Sequence, residues 1–211
     1  MPHDEKKLQV EGQNPGERVE HESFSPVPAT TKKSDGSLLI YTAVAIGVAL
    51  IVRFFVAAPY LVDGPSMEET FHNHDYLIID RLTYRFGEPQ RGDVIVFNSP
   101  ASKGNTLIKR VIGLPGDTVT VSDTGVMIAN ADNPKGFVLS ESYITPENLG
   151  GASGQTVTLA PDHYFVMGDN RAASYDSRSW GTLPGSNIVG RVMLRLYPFS
   201  DMRLLPGEAR Y

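Results

Sequence analysis

The sequence predicts a mainly β protein: a single N-terminal transmembrane helix followed by one β-rich domain on the far side of the membrane. Three observations carry that reading. An apolar stretch runs fifteen residues from Leu38 to Val52 without a charge. Seven later segments are short and rich in β-branched or aromatic residues, with turn formers between them. No long amphipathic helical pattern occurs beyond the apolar stretch.

Residues 1–36 read as a disordered cytoplasmic tail. They hold seven acidic and five basic residues, and Pro2, Pro15, Pro26 and Pro28 interrupt any helix. Their apolar residues follow no period, so the segment buries too little surface to offset the entropy of ordering. Residues 37–58 read as the transmembrane helix. A hydrocarbon core of about 30 Å takes about 20 helical residues, and Ser37 to Ala58 supplies 22. Arg53, near the end of the span, can snorkel to the headgroups. Lys32 and Lys33 just before the span predict a cytoplasmic N-terminus, with residues 59–211 outside the membrane. Cleavage as a signal peptide fits less well. Val56 and Ala58 are small enough for a cleavage site, but Arg53 interrupts the apolar region and Pro59 would follow the cut.

Residues 59–211 read as one β domain. The predicted strands are Tyr76–Asp80, Val94–Phe97, Leu107–Ile112, Thr118–Val121, Thr156–Leu159, Tyr164–Met167 and Ile188–Leu196. Gly92–Asp93, Leu114–Asp117, Ala160–Asp162 and Leu183–Gly185 punctuate them. Residues 122–155, richer in Gly, Ser and Asn, read as an insertion over the sheet.

Composition narrows the function classes. The 211 residues carry a formal net charge of −5 and no cysteine. Cys-ligated metals, iron–sulfur clusters, disulfides and thiol nucleophiles are therefore absent. A mildly acidic chain without a basic module is a poor nucleic-acid binder. Of the five histidines, His3 and His21 lie in the tail, and His72 and His74 have no third ligand nearby and no HExxH, so no metal site is expected. Gly64–Pro65–Ser66–Met67–Glu68 fails as a GxSxG elbow at its last position, and no Ser-x-x-Lys occurs.

The lysines say more. Beyond the apolar stretch only Lys103, Lys109 and Lys135 remain, and Lys109 alone sits inside a predicted strand. Strand alternation places it on one face with Leu107 and Val111, and Arg110 on the other with Ile108 and Ile112. If that face is buried, the amine loses hydration, its pKa falls, and it becomes available as a general base. An edge lysine snorkelling to water satisfies the same pattern.

Four segments decide between these readings. Val62–Asp63–Gly64–Pro65–Ser66–Met67, Arg91–Gly92–Asp93–Val94–Ile95–Val96–Phe97, Lys109–Arg110–Val111–Ile112–Gly113–Leu114–Pro115–Gly116–Asp117 and Gly168 to Arg178 resemble, in order and spacing, the sequence boxes of bacterial type I signal peptidases. The resemblance implies a β-rich catalytic domain of the signal peptidase type on a type II, single-pass membrane anchor. It implies a serine endopeptidase that removes signal peptides from exported preproteins after Ala-x-Ala, in functional coupling with the secretion translocon, and without cofactor or metal. Carried over by position, Ser66 is the nucleophile and Lys109 the general base. Ser174 is the serine that hydrogen-bonds the lysine amine. Asp176 and Arg178 shape the loop beneath the site, with Asp169 and Arg171 in the same scaffold.

Two positions depart from the family pattern. Glu69 stands where proline is usual, which gives Ser66-x-x-Glu69 the form of a helix capping box; Glu69 is expected to face water. Gly64 stands where many relatives carry a serine whose hydroxyl serves the oxyanion hole, leaving the Ser66 N–H as the best donor. The alternatives are an inactive anchored relative that binds export partners or peptides, and a Ser/Lys self-cleaving repressor on a related fold. The retained Ser66, Lys109 and Ser174 argue against the first. The anchor and the missing DNA-binding module argue against the second.

Overall fold

The structure, a computed structural model, describes residues 36–51, 53, 56–68, 70–151, 154–209 and 211. The predicted tail, but for Gly36, and the predicted exposure of Glu69 lie outside the described residues.

The chain opens with helix α1, Gly36–Ile51, whose sixteen residues include no charge. Among the described residues no helix is long and apolar enough to cross a membrane. The helix predicted over 37–58 is corrected at its end. Ala57–Leu61 is strand β1, paired antiparallel with β2, Tyr76–Asp80, in the register Ala57↔Asp80 to Leu61↔Tyr76. Ala58 is buried there. Pro59 is tolerated because β1 lies at a sheet edge, where one N–H is not needed by the ladder.

The remaining elements follow in order: α2 (Thr83–Phe86), β3 (Val94–Asn98), β4 (Thr106–Gly113), β5 (Thr118–Ser122), β6 (Gly125–Ala129), β7 (Phe137–Val138), β8 (Gln155–Thr158), β9 (His163–Met167), α3 (Ser177–Trp180), β10 (Leu183–Pro184), β11 (Ile188–Tyr197) and β12 (Arg203–Leu204). They build two antiparallel sheets. The larger runs β1-β2-β11-β3-β4-β9-β10, with β12 beside β11; the smaller runs β7-β6-β5-β8. Residues 122–155, expected as an insertion over the sheet, contribute β6 and β7, the end of β5 and the start of β8 to the smaller sheet.

Burial explains the apolar runs. In β3, Val94 and Val96 join a core with Leu77, Ile79 and Val192, while Ile95 and Phe97 join another with Val111, Tyr164 and Val166. Both faces are covered, so the strand reads as continuous apolar sequence. The small sheet alternates instead. Val119, Val121, Val126 and Ile128 face a core shared with Phe165 and Met167. Thr118 and Thr120 face outward and hydrogen-bond across to Thr158 and Thr156 at 2.9 and 3.1 Å.

Strand β4 matters most for position. Its first five residues pair with β3, from Thr106↔Asn98 to Arg110↔Val94. On its other edge only Arg110, Val111 and Gly113 pair, with Met167, Val166 and Phe165 of β9. Residues 106–109 therefore keep one edge without a strand partner among the described residues.

Candidate active site

Ser66 sits on a tight turn after β1. Gly64, at φ +94°, lets the backbone reverse, and its N–H donates to Asn73 Oδ1 at 3.1 Å. The next residues coil through one turn, with the Glu68 N–H on Pro65 O and the Phe71 N–H on Met67 O. Met67 and Phe71, four apart and so on one side of that turn, are fully buried in the core beneath β2 and β3. They pin the turn and leave the Ser66 side chain on its open side. That hydroxyl meets Lys109.

Lys109 Nζ lies 2.6 Å from Ser66 Oγ and donates to Ile108 O at 2.8 Å. Its residue is 3% exposed, although it lies on the half of β4 that lacks a second strand. Burial pushes its pKa from 10.5 down to about 8. The carboxylates of Asp176 and Asp169 oppose that fall, and the Arg178 guanidinium adds to it.

The loop after β9 wraps this pair. The Asn170 N–H donates to Ser66 O at 3.1 Å, tying the loop to the serine's own backbone. Asp176 accepts from Arg178 Nε and Nη2, both at 2.8 Å, and from the Gly168 N–H at 3.0 Å. Burial alone would raise the Asp176 pKa, but the Arg178 hydrogen bonds and charge outweigh it and hold the carboxyl below its usual range. Arg178 also donates to Arg171 O and Gly150 O, and Arg171 donates to Gly168 O and ion-pairs with Glu141. The hydrogen bond expected from Ser174 to the lysine amine is not made. The Ser174 hydroxyl is buried without a partner, near the Asp176 carboxylate but outside hydrogen-bond geometry. With its two protein contacts the amine is already turned toward Ser66 and Ile108.

Sequence reasoning passed over two residues that matter here. Arg110 is fully buried and forms a two-pronged pair with Asp169, while its Nη1 donates to Gly92 O and Gly207 O. Its guanidinium lies 3.9 Å from the centre of the Tyr143 ring. The signal was present: alternation set it among Ile108 and Ile112, and a buried arginine demands a carboxylate. Gly168 is the other. A methyl group there would overlap the Ser174 hydroxyl and the Ser66 carbonyl oxygen. Gly168→Ala is therefore expected to displace Ser66 and to lower any turnover at that serine roughly a hundredfold, with little change in KM.

Beside Ser66 opens a cavity of about 100 Å³, lined by Tyr60, Leu61, Val62, Leu77, Val96 and the 106–109 stretch of β4. Two free strand edges, that of β1 and that of β4, border it. Among the described residues the Ser66 N–H has no acceptor. It is free to donate to a substrate oxygen, whereas the Gly64 N–H is taken. No group of three or more His, Cys, Asp or Glu among the described residues could hold a metal ion.

Four segments far apart in sequence thus converge on one place: 62–67 through Ser66, 91–97 through Gly92 O, 109–117 through Lys109 and Arg110, and 168–178 through Asp169 and Asn170. The model of the family described as signal peptidase, peptidase S26, matches residues 36–197. The chain belongs to that family. Among its relatives, the probable signal peptidase I-2 of Synechocystis sp. is 38% identical over 172 residues, covering 78% of this chain and 74% of the relative. The signal peptidase I of Leptolyngbya laminosa is 37% identical over 210 residues, covering 90% of this chain and 98% of the relative. A solved signal peptidase I from Enterococcus faecalis is 32% identical and aligns over 51% of this chain and 98% of that chain, with a TM-score of 0.42.

Proposed function

We propose that this chain is a signal peptidase I, a serine endopeptidase that cuts signal peptides from exported preproteins after small residues, with Ser66 as nucleophile and Lys109 as general base. The observation that carries the proposal is the 2.6 Å approach of Lys109 Nζ to Ser66 Oγ in a site from which water is largely excluded. A serine hydroxyl is a weak nucleophile until a neighbouring base takes its proton. In its neutral form the amine accepts the hydroxyl proton as Oγ attacks the scissile carbonyl. It returns that proton to the departing amine, leaving an acyl-enzyme. Water then enters and attacks the acyl carbon as it gives a proton to the same amine; the bond to Oγ breaks, the amine returns that proton to Oγ, and the acid leaves. The Ser66 N–H faces the oxygen that becomes negative during both steps.

The cavity supports the substrate class. An extended segment can add to the free edge of β4 at 106–108, beside β1, in the manner of strand addition. The cavity's mostly apolar lining suits small apolar side chains of such a segment.

The anchor belongs to the same proposal. Leu38, Leu39, Ile40 and Tyr41 of α1 are each at least 64% exposed, and Val44, Ile46, Val48 and Leu50 also face outward. Lipid is the medium that would cover them. With the N-terminus cytoplasmic, the five residues of β1 keep Ser66 close to the outer surface, where a membrane-inserted signal sequence ends.

The test is cleavage of a preprotein carrying an Ala-x-Ala site by the full chain in detergent. Wild type is expected to cut at that site, and Ser66→Ala, folded as judged by its melting curve, is expected not to. A folded wild type without activity would favour an inactive relative. The base sets the pH dependence. With a pKa of about 8, kcat/KM is expected to rise with pH and level off above that value, since only the neutral amine works.

A further inference from the structure

A larger basin, of about 660 Å³, shares no lining residue with the cavity at Ser66. Its polar lining is dominated by donors. Arg203 is exposed and makes no ion pair with a described residue. The hydroxyls of Ser140 and Ser142 make no hydrogen bond among the described residues. Thr145 Oγ1 is buried without a partner, which is costly unless a ligand satisfies it. Arg195 closes the floor. It donates to Thr70 O, stacks 4.9 Å from the Phe71 ring and pairs through Nε with Asp75 at 3.2 Å. Against the two guanidiniums, the one carboxylate in the lining is that of Glu208. The Tyr143 hydroxyl at the wall is already engaged by Glu141 and Tyr211.

Exposed apolar side chains lie next to Arg203 in the chain, outside the lining of the basin. Met202 and Leu204, its two chain neighbours, are 56% and 72% exposed. Strand alternation turns them to the face opposite Arg203. Close by in the chain, Phe199 is 74% exposed and packs edge-on against Tyr197 at 5.6 Å. A guanidinium with three hydroxyl donors suits a tetrahedral anion that offers several acceptor oxygens.

We propose that this basin binds a phosphate ester anion through Arg203, Thr145, Ser140 and Ser142. The site is separate from peptide cleavage and does not depend on how Ser66 and Lys109 work. Two sources share this chemistry, a lipid headgroup and a free phosphate. Equilibrium dialysis separates them, with the full chain in a neutral detergent against labelled inorganic phosphate and against a short-chain phosphatidylglycerol kept monomeric. Saturable binding is expected, weakened roughly tenfold by Arg203→Gln and by Thr145→Val. Both variants should keep the wild-type melting curve. Binding of the lipid alone assigns the headgroup; equal binding of inorganic phosphate assigns the free anion. No saturable binding of either probe, or binding indifferent to both substitutions, would overturn the proposal.

Discussion

Lys109→Met is expected to abolish cleavage while making the protein more stable. Among the described residues the amine is the one side-chain group hydrogen-bonded to Ser66 Oγ, so in the proposed mechanism its loss is expected to reduce kcat on the order of 10⁴–10⁶-fold. The stability gain has a separate cause. Lys109 titrates near 10.5 when solvated but at about 8 in the fold, so below pH 8 the folded state holds a charge that burial disfavours. That shift corresponds to roughly 3 kcal/mol at neutral pH. The cost is fully present below the folded value and is relieved as pH rises from about 8 toward 10.5, where the unfolded chain still holds the proton. Methionine removes the charge at similar volume, so a melting temperature several degrees above wild type is expected at pH 7, with the difference shrinking at alkaline pH. Calorimetry across pH measures it. A less stable Lys109→Met protein would mean that the ammonium is satisfied in its site.

Arg110→Ala is expected to cost about 3–5 kcal/mol, close to the whole stability of many domains. Arg110 and Asp169 are both fully buried. Truncating the arginine leaves Asp169 with Thr70 as its remaining side-chain partner and strips a donor from Gly92 O and Gly207 O. It also removes the cation stacked on Tyr143. Because the loss comes mainly from stranding a charge, Arg110→Met combined with Asp169→Leu is expected to recover much of it. Urea midpoints for the two variants give the comparison. A fall of less than about 1 kcal/mol in Arg110→Ala would show that water reaches the pair.

The sequence made the larger sheet legible where burial is simple. Val94–Phe97 and Tyr164–Met167 are covered on both faces and read as unbroken apolar runs, and Tyr76–Asp80 coincides with its strand. Strand β1 was hidden because Ala57, Ala58 and Pro59 continue an apolar stretch and carry no alternation. Strand β6 was hidden because Gly125–Ala129 lies among turn formers, its two buried positions separated by the exposed Met127. At the site, local sequence spoke for Ser66 and Lys109 through their motifs. It could not speak for contacts that depend on folding. Ser174 lies in the expected loop, but its hydroxyl turns toward Asp176 rather than the amine. Glu141 and Tyr143 reach Arg171 and Arg110 from the chain between β7 and β8, and no spacing in the sequence marks them.

The central claim is that the protein holds one lysine amine mostly desolvated beside a serine hydroxyl. Nitrogen NMR of the full chain with labelled lysine, the resonance assigned by its absence in Lys109→Met, measures that amine's titration directly. The account predicts a midpoint near 8. A midpoint at the ordinary 10.5 would contradict it.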